Sequence, residues 1–104
     1  MITNTQIAST TTSRVFLASG QQAITTMVFC NTTISTNATV DVYVVPYGSN
    51  ANAGTQIMKT LSLPATETFV LDTERLILEN NDAVYAQASA PSTITVTVSS
   101  LQTS

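Results

Sequence analysis

Thr39-Val40-Asp41-Val42-Tyr43-Val44-Val45-Pro46-Tyr47 is the stretch that decides how this chain folds. Val40, Val42 and Val44 occupy every second position, and Asp41, Tyr43, Val45 and Tyr47 fill the positions between. Successive side chains of a strand leave opposite faces of a sheet, so this period of two puts the valines on one face and the tyrosines on the other. An amphipathic helix would need a period near 3.6, which the stretch does not have. Pro46 has no N–H to donate and should end the ladder or sit at an edge.

Toward the N-terminus, Thr32 to Asn37 reads as a polar turn, and Ala23 to Asn31 as a long strand. Within that strand Ile24, Val28 and Cys30 are expected on one side and Met27 and Phe29 on the other, with both faces covered. Arg14 to Ala18 is another strand, ended by Ser19-Gly20. The segment 1–12 is polar, with Ile2 and Ile7 as its apolar anchors, and reads as an N-terminal arm or an edge strand.

Toward the C-terminus, Gly48 to Gly54 is a loop of small and polar residues, followed by strands over Gln56 to Leu63 and Thr66 to Leu71. Arg75 to Leu78 is read as a strand too, since Leu76-Ile77-Leu78 is short and flanked by turn residues. Glu79-Asn80-Asn81-Asp82 is a tight hairpin turn, in which Asn tolerates positive φ. Ala83 to Ser89 returns across it, and Thr93 to Leu101 closes the chain on a clean alternation of Ile94, Val96 and Val98 with Thr95, Thr97 and Ser99.

About eight short strands with turn signals roughly every eight to twelve residues predict an all-β protein. The expected architecture is a two-sheet antiparallel β-sandwich, jelly-roll-like or Ig-like, with residues 13–104 as a single domain behind the polar segment 1–12. Composition agrees. Twenty threonines and eleven serines stand among 104 residues, and β-branched Thr suits a pleated surface.

The same composition narrows the chemistry. Histidine is absent, which removes the commonest general base and metal ligand and every Ser-His or Cys-His pairing. One cysteine, Cys30, allows no internal disulfide and closes no zinc site, and its apolar neighbours suggest a buried thiol. The three glycines form no phosphate-binding loop. Asp72, Glu74, Glu79 and Asp82 could converge as a calcium site but read better as acidic turns in water. Two Asn-x-Thr triplets, at Asn31 and Asn37, are expected by chance in so Thr-rich a chain. Three cations cannot form a basic stripe, so direct nucleic-acid binding is not expected. No apolar run approaches the ~20 residues of a membrane-spanning helix, and no signal-peptide pattern opens the chain. The sequence thus points away from an enzyme, and neither a cofactor nor a metal is expected.

What remains is a surface. Tyr43, Val45 and Tyr47 share the strand face opposite the valines, and Tyr85 lies on the matching face of the last hairpin. A tyrosine offers a broad apolar ring and a polar tip, so these four residues are the expected contact with another subunit. On this reading Tyr43→Asp should leave the domain folded but unable to assemble, whereas Val42→Asp should abolish folding.

Several segments carry a family likeness: Ser62-Leu63-Pro64-Ala65-Thr66-Glu67-Thr68, Arg75-Leu76-Ile77-Leu78-Glu79-Asn80-Asn81-Asp82, the closing Ile94-Thr95-Val96-Thr97-Val98-Ser99-Ser100-Leu101 and Val28-Phe29-Cys30-Asn31-Thr32-Thr33. Together they resemble small virion structural proteins of tailed bacteriophages. One departure is Asn81, where such proteins often place glycine before the aspartate. The resemblance implies a capsid decoration (cement) protein that contacts the major capsid protein or other virion proteins, in a virion assembled in the host cytoplasm. A homo-oligomer, trimer or dimer, would be expected on symmetry axes. A neck or tail component is the alternative within the particle. A receptor- or carbohydrate-binding module, suggested by the Gly48 to Gly54 loop, is the alternative in kind.

Overall fold

The computed structural model describes residues 2–7, 10–52, 54–71, 76–90 and 92–102. Among them lie nine strands and no helix: β1 (Ile2–Gln6), β2 (Ser13–Leu17), β3 (Gln22–Asn31), β4 (Ala38–Val45), β5 (Gln56–Leu63), β6 (Thr68–Leu71), β7 (Leu76–Leu78), β8 (Ala83–Ala88) and β9 (Ile94–Gln102). Pro46 follows the last residue of β4, as its missing N–H requires. The segment Ile2–Gln6 is an edge strand, and the next residue, Ile7, is fully buried.

Two antiparallel sheets result. One runs β1-β9-β3-β6, with β7 also paired to β3, and the other runs β2-β8-β4-β5. The pairings β1·β9, β2·β8, β3·β6 with β3·β7, and β4·β5 describe one long hairpin from the chain's ends to its middle. Rolling that hairpin up adds β9 to β3 and β8 to β4. This is the jelly roll, so of the two sandwiches the sequence allowed, the Ig-like order is not the one adopted.

The core lies between the sheets. Val40 and Val42 of β4 meet Met27 and Phe29 of β3, Val84 and Ala86 of β8, and Val96 and Val98 of β9 in a single buried cluster. Phe29 and Phe69 are opposite each other across β3 and β6, with ring centroids 6.3 Å apart and planes tilted by 34°. Such a tilted pair adds to the burial of the two rings.

Asn31 is the core's principal polar member. Its Nδ2 donates to Thr36 O and Leu63 O, each at 2.8 Å, and its Oδ1 accepts from Thr33 N at 3.0 Å and Thr33 Oγ1 at 2.7 Å. All four hydrogen-bonding valences of the amide are filled, so the residue clamps the end of β3 to the 32–37 turn and to the end of β5. In this position the Asn31-Thr32-Thr33 triplet is a structural joint.

In β3 the face expected for Ile24 and the burial expected for Cys30 are corrected. The β3·β9 register slips between Ile24 and Thr26, which advances the alternation by one residue. Ile24 therefore joins Met27 and Phe29 in the core, and Val28 and Cys30 lie half-buried on the outer face. Cys30 is accordingly not the fully buried thiol expected from its apolar neighbours. A bulge is invisible to a strict period of two, and it reverses every side chain beyond it.

Candidate functional site: a basin on the outer face of the β2-β8-β4-β5 sheet

Cross-strand register assembles this face. β4 and β8 pair without a slip, setting Tyr43 opposite Tyr85 and Val45 opposite Ala83. On the other side of β8, Arg14 faces Tyr85 and Leu17 faces Ala83. The two faces of β4 are the ones read from sequence, with Val40 and Val42 in the core and Val44 packed against it.

The exposure of the outer face differs from expectation. Tyr47 is 75% exposed, but Tyr43 is only 9% and Val45 only 4% exposed, and Tyr85 is half-buried. Tyr43 and Val45 belong to no part of the core cluster, so they are covered from outside by their neighbours on the same face. With so little exposure, Tyr43→Asp is expected to destabilise the domain rather than spare the fold. A carboxylate at a position so little exposed would be desolvated without a partner.

Beside the covered pair opens a basin of about 330 Å³, floored by Val45, Pro46, Ala83 and Leu17 and rimmed by Arg14, Tyr47, Tyr85, Ser49 and Asn81. Its walls are built by turn chemistry. Asp82 accepts the backbone N–H of Tyr47 through Oδ1 at 2.8 Å and that of Glu79 through Oδ2 at 2.9 Å, joining the turn after β4 to the turn before β8. Asn81 N donates to Ala18 O at 2.9 Å and Ala18 N to Asp82 O at 2.8 Å, joining the same turn to the end of β2. Gly20 N adds a bond to Asn80 Oδ1 at 2.9 Å. Asn81 sits at φ 71° and Gly48 at φ 88°, the left-handed region that Asn tolerates and Gly enters freely. Asn81 thereby completes the turn without a glycine.

Asp82 and Glu79 are the described members of the acidic group considered as a calcium site. Both carboxylate oxygens of Asp82 are engaged by backbone N–H groups, and Glu79 Oε1 accepts from Gln21 Nε2 at 3.0 Å. Asp72 and Glu74 lie outside the described residues. Among the described residues no group of three or more His, Cys, Asp or Glu side chains could hold a metal ion.

Chemically the basin offers binding surface. It presents one cation, two phenols, an amide and a hydroxyl over an aliphatic floor, with no acidic side chain among its lining residues. Three of the four residues expected at an interface, Val45, Tyr47 and Tyr85, line it, and Tyr43 lies directly beside Tyr85. Arg14, Leu17 and Asn81 were not foreseen as parts of a site. They reach it through the β2·β8 pairing and a turn, and no local pattern in the sequence announces either contact. Against known proteins, no family model, no curated protein and no solved structure matches this chain.

Proposed function

We propose that this chain is a non-enzymatic structural protein of a bacteriophage particle, a capsid decoration protein that docks on the major capsid protein through the Tyr47–Tyr85 basin. The observation that carries the reading is the outer face itself, where the exposed Tyr47 borders a basin that mixes aliphatic and polar side chains. Exposed aromatic surface beside such a basin is what a protein partner covers well. The likeness of the strand and turn segments to tailed-phage virion proteins supplies the setting. The jelly roll adds support by analogy, since viral capsid domains use it, though lectins and cupins do as well.

The test is stoichiometric and then mutational. Quantitative mass spectrometry of purified particles should find this chain in hundreds of copies, in simple ratio to the major shell protein. About a dozen copies would move it to the neck or tail, and its absence from particles would end the virion reading. Tyr47→Asp should then give a folded chain that no longer binds shells lacking it, because so exposed a ring leaves the domain without structural cost when replaced.

A carbohydrate ligand is the second reading, favoured by the exposed Tyr47 ring beside Arg14 and Asn81. The amides of the adjoining loop speak against it. Asn52 Oδ1 accepts Gly54 N at 2.8 Å, and Thr55 Oγ1 holds Asn50 O at 3.1 Å and Asn52 O at 3.2 Å, so the loop bonds largely to itself. A glycan array showing no binding by the intact chain would remove this reading.

A further inference from the structure

The described sheet edges are not treated alike. β2 slips register between Arg14 and Phe16, and it carries a charge. β5 slips twice against β4, and at its first bulge Thr60 turns to φ 54° and gives its N–H to Asp41 Oδ1 at 2.6 Å. β6 and β7, four and three residues long, divide the far flank of the other sheet between them. Bulges, charges and short strands are the devices that keep an edge from pairing with another chain. β1 has none of them. Its five residues run from Ile2↔Ser99 to Gln6↔Thr95 without a slip, and ITNTQ contains no charge and no proline.

We propose that β1 is the dimerisation edge: it pairs antiparallel with β1 of a second copy, joining two β1-β9-β3-β6 sheets into one continuous sheet across a two-fold axis. The partner is argued from charge and symmetry. The chain carries a net charge of −3, yet neither β1 nor the adjacent β9 contains a charged residue, so two copies can meet at this flank without like charges facing each other. The register in which all five residues pair sets Asn4 opposite Asn4 of the second copy and Ile2 opposite its Gln6, a self-complementary and closed arrangement. Ile2, 69% exposed in the single chain, loses solvent contact in that pairing. The inference is independent of what the tyrosine basin binds.

Disulfide trapping tests it in the full chain with Cys30→Ala. Directly opposed residues have Cβ atoms about 4.5–5.5 Å apart, close enough for a slightly adjusted disulfide, whereas Ile2 and Ile2 of the two copies would be displaced by about 14 Å along the strands. Asn4→Cys should therefore oxidise to a covalent dimer, and an equimolar mixture of Ile2→Cys and Gln6→Cys should form the mixed dimer. Ile2→Cys alone and the loop control Ser35→Cys should stay largely unlinked. By light scattering the parent chain should show twice the 11.0 kDa of one copy, and Asn4→Lys should return it to one. A parent chain that is monomeric at millimolar concentration overturns the proposal. So does a dimer in which Asn4→Cys fails to cross-link or Ile2→Cys cross-links as readily, since the interface then lies elsewhere.

Discussion

β4 and β9 read almost identically in the sequence and end in different surroundings. Each alternates aliphatic with other residues, and each places its aliphatic set, Val40 and Val42 or Val96 and Val98, wholly inside the sandwich. Their second faces part company. On β4, Tyr43 and Val45 are buried beneath their neighbours, while on β9 the matching Thr95, Thr97 and Ser99 remain half-exposed. The difference comes from what stands beside each strand. Tyr43 has Tyr85 directly across one ladder and Gln56 across the other, and the turn after β4 is tied by Asp82 to the turn before β8. Thr97 has Asn4 on one side and Val28 on the other, with its Oγ1 donating to Asn4 Oδ1 at 2.8 Å. Alternation tells which side chains share a face. Whether that face is covered depends on residues far along the chain.

The inner faces should respond alike. Val42→Asp and Val96→Asp each place an unpartnered carboxylate at a fully buried site, at a cost of about 5 kcal/mol or more, comparable with the whole stability of a small domain. Neither variant should show a cooperative thermal transition. A folded Val96→Asp beside an unfolded Val42→Asp would mean that the two strands do not share one core.

The outer faces should separate. Tyr43→Asp is expected to cost about 3 kcal/mol, combining lost ring burial with a desolvated charge. Thr97→Asp should cost less than about 1 kcal/mol, since its site is wet and only one surface hydrogen bond is lost. For a domain of this size each kcal/mol moves Tm by about 4–8 °C, so calorimetry resolves the two. Equal losses would show that the covering of β4 contributes nothing.

The same contrast marks how far the sequence could be read. The all-β class, the two layers and the inner faces of β4 and β9 were legible because each follows from local period and turn residues. The jelly-roll order was not, since it depends on which distant strands pair. The phase of Ile24 was misread because one extra residue at a bulge leaves no trace in composition. The site was half legible. Val45, Tyr47 and Tyr85 could be placed on one face from their parity within a strand and at its end, but the burial of Tyr43 and Val45 and the arrival of Arg14 required the β2·β8·β4 register and the Asp82 clamp.

The smallest expected effect concerns the flank that β4 shares with β5. Thr60 lies at φ 54°, a conformation that crowds a β-branched side chain, and it is held there because the bulge directs its N–H to the Asp41 carboxylate. Asn enters that region with less strain and retains the same N–H. Thr60→Asn should therefore stabilise the domain by about 0.5 kcal/mol, raising Tm by a few degrees. The same exchange at Thr97, in the regular β9 ladder, should lower Tm instead, because Asn is a poorer strand residue than Thr. Opposite signs for one substitution at two threonines would locate the strain in the β5 bulge. Matching signs would mean that side-chain type outweighs backbone conformation at both positions, and that the protection of this edge rests on Asp41 alone.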